Sequence, residues 1–168
     1  MSSSPAGLLA FPLLGTVTDA SGGQHPAYHD GQRWNPIGDI ILGYVEQAAP
    51  VTVANGATVT VASVDVVFAG VGTVCRVTMD APEVDFTDTS GGEALFLVNA
   101  FGADHALGHM HGDRSLGWPA RIARRLGIAG AGTVTFALRC RSVSGNLTLR
   151  ADADTLYGPI ALVVEVVG

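Results

Sequence analysis

The chain has 168 residues, of which 48% are hydrophobic and 14% are charged, with a net charge of −6. Typical soluble domains carry about 25% charged residues, so we expect part of this surface to be buried between subunits. The acidic balance and the absence of a broad basic patch exclude nucleic acid as an expected partner. No apolar stretch reaches the roughly 18 to 20 residues of a transmembrane helix, so we expect no membrane partner.

Residues 1–48 contain short apolar bursts between Gly, Pro, Ser and Asp, which is typical of an extended arm. The segment Tyr28–Trp34 has Asp30-Gly31 at its centre and predicts a small hairpin. The apolar run near the start lacks a basic leader, so we expect no signal peptide. The arm cannot build a core of its own, and its large apolar residues are predicted to anchor it on another surface: Leu8, Leu9, Phe11, Leu13, Leu14, Tyr28 and Trp34.

Residues 49–168 are predicted to form the main domain, with Ile40–Val45 as a strand leading into it. Asn55-Gly56 and the glycines at 70–72 supply turns between closely spaced strands. About eight strands at this spacing indicate an all-β sandwich, most simply a jelly roll. The strands expected in the first half of the domain are Val51–Val53, Thr58–Ala62, Val64–Ala69, Thr73–Met79, Val84–Thr87 and Ala94–Val98.

A Gly- and His-rich insertion, residues 101–132, interrupts this pattern. Within it Pro119 suits the first turn of a helix, Ile122 and Leu126 share a helical face, and Gly127 suits a C-terminal cap. The sequence therefore predicts one short helix over Pro119–Leu126. Long connections of this kind are often functional, and the residues proposed for a ligand or partner loop are His105, Trp118, Arg121, Arg124 and Arg125. For the three arginines, Arg121, Arg124 and Arg125, the competing interpretation is a solvent-exposed face without a partner.

The last third of the chain is three strand patterns. Thr133–Arg141 and the segment beginning at Leu147 alternate with period two, which indicates half-buried strands. Ile160–Val167 is apolar on both faces apart from Glu165, as expected for a strand that is covered on both sides. The residues predicted to be buried are Val134, Phe136, Leu138, Leu147, Leu149, Leu162, Val164 and Val166, with Cys75 and Val77 across the core.

Cover on the second face of that final strand is predicted to come from another subunit. The expected assembly is a homotrimer, with a homodimer as the runner-up. The residues predicted to face a neighbouring subunit are Val163, Glu165, Val167, Arg139 and Arg141. The two cysteines, Cys75 and Cys140, both fall on inward strand faces. They could form a disulfide or remain two separate thiols in the core, and the sequence leaves both alternatives open. The chain has no CxxC spacing that would indicate a zinc site.

His109 and His111 project from the same side of an extended segment, where both imidazoles lie within reach of one metal ion. At a three-fold axis such a pair would supply six nitrogen ligands. The alternative is a polar loop whose histidines form local hydrogen bonds. No His-Glu-x-x-His arrangement and no Gly-x-Ser-x-Gly elbow is present, so we expect neither an enzyme nor a cofactor.

The stretch Thr133–Gly145, followed by Leu147–Leu149 and Leu162–Val166, resembles the C-terminal β-sandwich of bacteriophage fibre and decoration proteins. Those domains are similar to the trimeric jelly rolls of tumour necrosis factor and complement. Tyr28–Trp34 is similar to short aromatic hairpins of phage fibres. The resemblance covers the last 35 residues best and residues 51–100 loosely, and residues 101–132 depart from it.

The resemblance implies a non-enzymatic structural protein of a bacteriophage virion, located on the capsid surface or the tail. A capsid decoration or head-fibre protein, attached to a major capsid or tail protein through the arm, is the leading expectation. A tail-fibre or receptor-binding module that recognises a host-surface glycan is the alternative.

Overall fold

The computed structural model describes residues 13–18, 24–29, 34–36, 40–68, 73–87, 91–112, 118–128, 131–152 and 157–166. These residues form thirteen β-strands, numbered in chain order, and no helix. The all-β sandwich predicted from the sequence is therefore confirmed. The strands are β1 (Leu13–Thr18), β2 (Gln24–His29), β3 (Trp34–Pro36), β4 (Ile40–Gln47), β5 (Val51–Val53), β6 (Thr58–Phe68), β7 (Thr73–Phe86), β8 (Gly92–Ala100), β9 (Ala103–Gly112), β10 (Trp118–Ile128), β11 (Gly132–Ser144), β12 (Leu147–Arg150) and β13 (Ile160–Val166).

The strands are arranged in three antiparallel sheets. A small sheet has the order β1-β2-β3, and its β2–β3 pair, with His29 opposite Trp34, is the hairpin expected near Tyr28. Sheet one is built on the long strand β7: β10 pairs with one side of β7, β13 and β12 pair with the other, and β4 and β5 flank these. Sheet two has the order β6-β11-β8-β9. The sandwich therefore begins at β4, inside the range predicted for the arm.

One hydrophobic core lies between sheets one and two. Phe136 and Leu138 of β11 are fully buried, as are Leu147 and Leu149 of β12, because the period-two alternation puts them on the inner faces. Burying each such side chain contributes about 1.5–3 kcal/mol to folding. The other predicted core positions are fully buried at Leu162, Val164, Cys75 and Val77 and partly buried at Val134 and Val166.

The helix predicted over Pro119–Leu126 is wrong: this segment is part of β10, which pairs with β7 along nearly its whole length. Ile122 and Leu126 face the core, but a spacing of four residues keeps two side chains on one face of a strand as well as of a helix. The long β7 offers a complete row of hydrogen-bonding partners, and this non-local pairing decides the conformation. The predicted insertion, residues 101–132, likewise contains β9 and β10.

Glycines bring the two sheets close together at both sides of the sandwich. On one side, a Cβ at Gly43 of β4 would lie 2.6 Å from the Val66 side chain of β6. On the other, a Cβ at Gly108 of β9 would lie 2.7 Å from the Ile122 side chain of β10. A two-residue turn, Phe101-Gly102, joins β8 to β9. Its φ angles of 56° and 74° are both positive, and a turn of this kind has a twist that matches the twist of the paired strands.

Candidate functional site

Three potential metal ligands meet on the outer face of sheet two, near its β9 edge. Their donor atoms, from Glu93, His109 and His111, all lie within 4.8 Å of one another. His109 Nε2 lies 2.5 Å from Glu93 Oε1, and the two imidazole rings are edge to face with centroids 4.5 Å apart. We call these residues the His–Glu cluster.

The strand register explains why the cluster forms. His109 and His111 are two residues apart on β9, so both project from the same face. Glu93 of β8 lies directly opposite His111, with Leu95 opposite His109, so Glu93 is the diagonal neighbour of His109. The pairing of the two strands therefore places the three residues on one face and next to one another.

The two histidines were predicted as candidate metal ligands, whereas Glu93 was missed. Glu93 lies sixteen residues before His109 and has no sequence pattern that links the two. The signal that was available is the alternation of β8, which places Glu93 and Leu95 on its outer face. Its pairing with β9 became visible only in the tertiary structure.

A polar network lies further along the same face. Nη1 of Arg139 on β11 donates hydrogen bonds to both carboxylate oxygens of Asp104 on β9, and Asn99 Nδ2 donates to the same carboxylate at 2.7 Å. The Asn99 hydrogen bond and the Arg139 cation lower the pKa of Asp104. Arg139 thus has a partner within the chain, while Arg141 of the same strand is exposed.

The outer face of sheet one carries a shallow depression of about 320 Å³, lined by Arg76, Thr78, Arg121, Ala123, Val163 and Glu165. Arg76 Nε donates a hydrogen bond to Glu165 at 2.8 Å, which places one salt bridge on its floor. Two predicted interface residues, Val163 and Glu165, are therefore in this depression, and Val167 lies outside the described residues. Beside it on β4, the side chains of Ile41 and Tyr44 are 54% and 52% exposed.

The residues of the predicted partner loop lie on β9 and β10, the two edge strands that meet at one side of the sandwich. Arg124 Nη1 donates a hydrogen bond to the Ala106 carbonyl oxygen at 2.6 Å, which ties β10 to β9. Arg121 and Arg125 point outward from β10, and Trp118 is at its start, opposite Val84. His105 Nε2 is buried without a hydrogen-bond partner among the described residues. Arg121 and Arg125 therefore lie on the opposite face of β10 from Arg124.

Cys75 and Cys140 are both buried and free, so the structure has no disulfide between them. Burial raises the pKa of Cys75 to about 11 and that of Cys140 to about 12. Both thiols therefore stay protonated near neutral pH, as expected of core residues.

The predicted arm anchors are only partly described. Leu13 and Leu14 belong to β1, Tyr28 to β2 and Trp34 to β3. Leu8, Leu9 and Phe11 lie outside the described residues. No helix in the described part of the chain is long and apolar enough to cross a membrane.

Neither the family models nor the curated proteins that were searched contain a match to this chain. Several solved structures are similar to this chain at low sequence identity. The infectious bursal virus protein in T=1 particles is 10% identical, with a TM-score of 0.47 over 82% of this chain and 39% of its own. A Clostridium thermocellum xylanase structure that includes the carbohydrate-binding module CBM22-1 is 8% identical, with a TM-score of 0.36 over 94% of this chain and 25% of its own.

The C-terminal CBM6 module of the laminarinase LamC from Zobellia galactanivorans is 14% identical, with a TM-score of 0.30 over 94% of this chain and 92% of its own. The present chain thus spans 39% of the viral chain and 25% of the xylanase chain. Viral particle proteins and carbohydrate-binding modules both occur among these matches, and a likeness at these scores assigns no role to this chain.

Proposed function

We propose that this chain is a non-enzymatic structural protein of a bacteriophage virion, a capsid decoration or head-fibre protein attached through its N-terminal arm. The observation that carries the proposal is the outer face of sheet one. β13 lies inside that sheet, between β4 and β7, yet its outward residue Val163 is apolar. Tyr44 of β4 is paired with Val163, and Ile41 of the same strand is paired with Glu165.

The apolar residues on the outer face of sheet one favour contact with another protein over exposure to water. Tyr44 and Ile41 each expose about half of their side chains, and covering them would remove apolar area from water at about 25 cal/mol per Å². Arg76 and Glu165 pair with each other in the adjoining depression, so a docking partner would meet a neutralised pair and not a lone buried charge. A second copy of the chain is the proposed occupant, within a homotrimer.

The arm supports attachment to the particle. In the described residues, β1, β2 and β3 pair with one another in a sheet separate from the sandwich, and the sandwich begins only at β4. Deleting residues 1–36 leaves every strand of sheets one and two in place. The deletion is therefore expected to keep the fold and the oligomer but to abolish binding to the parent particle.

Electron microscopy of particles mixed with the full chain or with the 37–168 fragment tests the attachment. We expect extra density on the particles mixed with the full chain and none on those mixed with the fragment. Equal decoration by both proteins would show that the arm is not the anchor, and a fragment that does not fold would show that the arm belongs to the core.

Assembly is tested separately with Tyr44→Asp, since Tyr44 is exposed and its replacement leaves the core intact. Light scattering should show a lower mass than for the wild type. Val67→Asp is the matched control, because Val67 is 59% exposed but projects from sheet two. A wild-type chain that is monomeric at micromolar concentration would contradict the assembly.

The alternative function is recognition of a host-surface glycan. An exposed aromatic ring, Tyr44, stands close to a depression with guanidinium, hydroxyl and carboxylate groups, a combination of one apolar surface with a few polar groups that suits small ligands. Glycan-array binding that Tyr44→Ala removes, together with no binding to capsid shells, would favour this function over decoration.

A further inference from the structure

We propose that the His–Glu cluster of β8 and β9 binds one divalent transition-metal ion per chain. Glu93, His109 and His111 supply one carboxylate oxygen and two imidazole nitrogens, a donor set that first-row ions such as Zn²⁺, Co²⁺ and Ni²⁺ accept. The site does not depend on the virion function and would be formed by a single chain.

The spacing of the donor atoms fits an ion with only small side-chain movements. Two ligands of a tetrahedral zinc ion, each about 2.1 Å from the metal, lie about 3.4 Å apart. His109 Nε2 and Glu93 Oε1 are already 2.5 Å apart, and no pair of donors in the cluster exceeds 4.8 Å. Rotations about the side-chain torsions of these partly exposed residues are sufficient to reach the ligand geometry.

Strand pairing fixes the backbone beneath the cluster. β8 and β9 are joined by a two-residue turn and paired from Ala100–Ala103 to Gly92–Gly112, so Glu93 stays opposite His111. The side chains of His109 and Glu93 are 43% and 30% exposed, which leaves room for an ion to enter and for water to complete its coordination. The cluster therefore offers three protein ligands and leaves the remaining coordination positions of the ion to water.

The short His109–Glu93 contact is the competing explanation, since an ion pair accounts for it without a metal. The two explanations differ in the form of the imidazole that they need. Coordination requires a neutral imidazole that offers a nitrogen lone pair to the ion. An ion pair between imidazolium and carboxylate needs a protonated ring.

Equilibrium dialysis and titration calorimetry of the full, tag-free chain with Zn²⁺ test the proposal, with visible absorption of the Co²⁺ form as a second readout. One tightly bound ion per chain is expected. His109→Ala, His111→Ala and Glu93→Gln should each weaken binding at least about tenfold. Asp65→Asn is the matched control for Glu93→Gln, because it removes an equal charge from the same sheet, at β6.

Circular dichroism verifies that each variant is folded, and the Co²⁺ spectrum should change in the cluster variants alone. If the double variant His109→Ala/His111→Ala bound Zn²⁺ as tightly as the wild type, the site would be overturned, because ligands elsewhere in the chain would then account for the binding. One ion per three chains, with no effect of Glu93→Gln, would replace it by a site shared between subunits.

Discussion

Arg139 and Asp104 form an ion pair across the intervening strand β8, with Nη1 of Arg139 2.8 Å and 2.7 Å from the two carboxylate oxygens. The pair joins β11 to the edge strand β9, which also carries the two histidines of the His–Glu cluster. Asn99 of β8 donates to the same carboxylate, so three neighbouring strands contribute to one network. The network stabilises the edge on which the proposed metal site is located.

Replacing Asp104 by Asn is expected to lower the free energy of unfolding by about 0.5–1 kcal/mol at neutral pH, since a partly exposed ion pair is lost. The lowered pKa of Asp104 means that its contribution is present above the unfolded-state pKa of about 4 and is lost as the pH falls through the folded-state value. Urea unfolding of both proteins at several pH values should show the difference shrinking in acid. Arg139→Gln should cause a similar loss, since it removes the partner of Asp104. Arg141→Gln is the control, and an equal loss from Arg141→Gln would contradict the pairing.

Gly112→Ala is expected to destabilise the sandwich by about 1–3 kcal/mol because of overpacking. A Cβ at Gly112 would lie 2.2 Å from the Phe86 ring, and one at Gly92 would lie 2.4 Å from another edge of the same ring. Phe86 is almost fully buried and has little room to move. Thermal unfolding followed by circular dichroism measures the effect.

Gly127→Ala is the matched control for this substitution. Gly127 also lies in a strand, but a Cβ there would meet no atom within 4 Å. Its replacement should leave the stability unchanged or raise it by up to about 1 kcal/mol, since alanine reduces the freedom of the unfolded chain. Equal destabilisation by Gly112→Ala and Gly127→Ala would exclude the Phe86 contact as the cause.

Arg124→Ala should lower the free energy of unfolding by about 0.5–1.5 kcal/mol, because the hydrogen bond to the Ala106 carbonyl that links β10 to β9 is lost. Arg125→Ala, one position along the same strand but pointing outward, should change it by less than about 0.5 kcal/mol. The urea concentrations at the unfolding midpoints of the two variants measure this difference. Identical midpoints would contradict a stabilising hydrogen bond between β10 and β9.

Both cysteines should resist alkylation in the native protein. Their raised pKa values keep Cys75 and Cys140 as buried thiols, whereas iodoacetamide reacts with the thiolate. Mass spectrometry should find no label at about pH 8 in buffer and two labels in denaturant without any reductant. No label after unfolding would indicate a disulfide between them.

Much of the sandwich was predictable from local patterns. Phe136 and Leu138 in β11, and Leu162 and Val164 in β13, were assigned to the core because period-two alternation places every second residue on one face. The alternation of apolar and polar residues is a property of each strand by itself, so the sequence indicates which face is buried without knowledge of the partner strand.

What the tertiary structure decided was which strands pair and in what register. The segment around Ile122 and Leu126 satisfies helical and strand spacing alike, and only pairing with β7 makes it a strand. The approach of Glu93 to His109 likewise depends on the register of β8 with β9. Hydrogen bonds between strands join any two backbones equally well, so side-chain patterns within one strand determine its inner face, while its neighbours are determined by the packing of the whole chain.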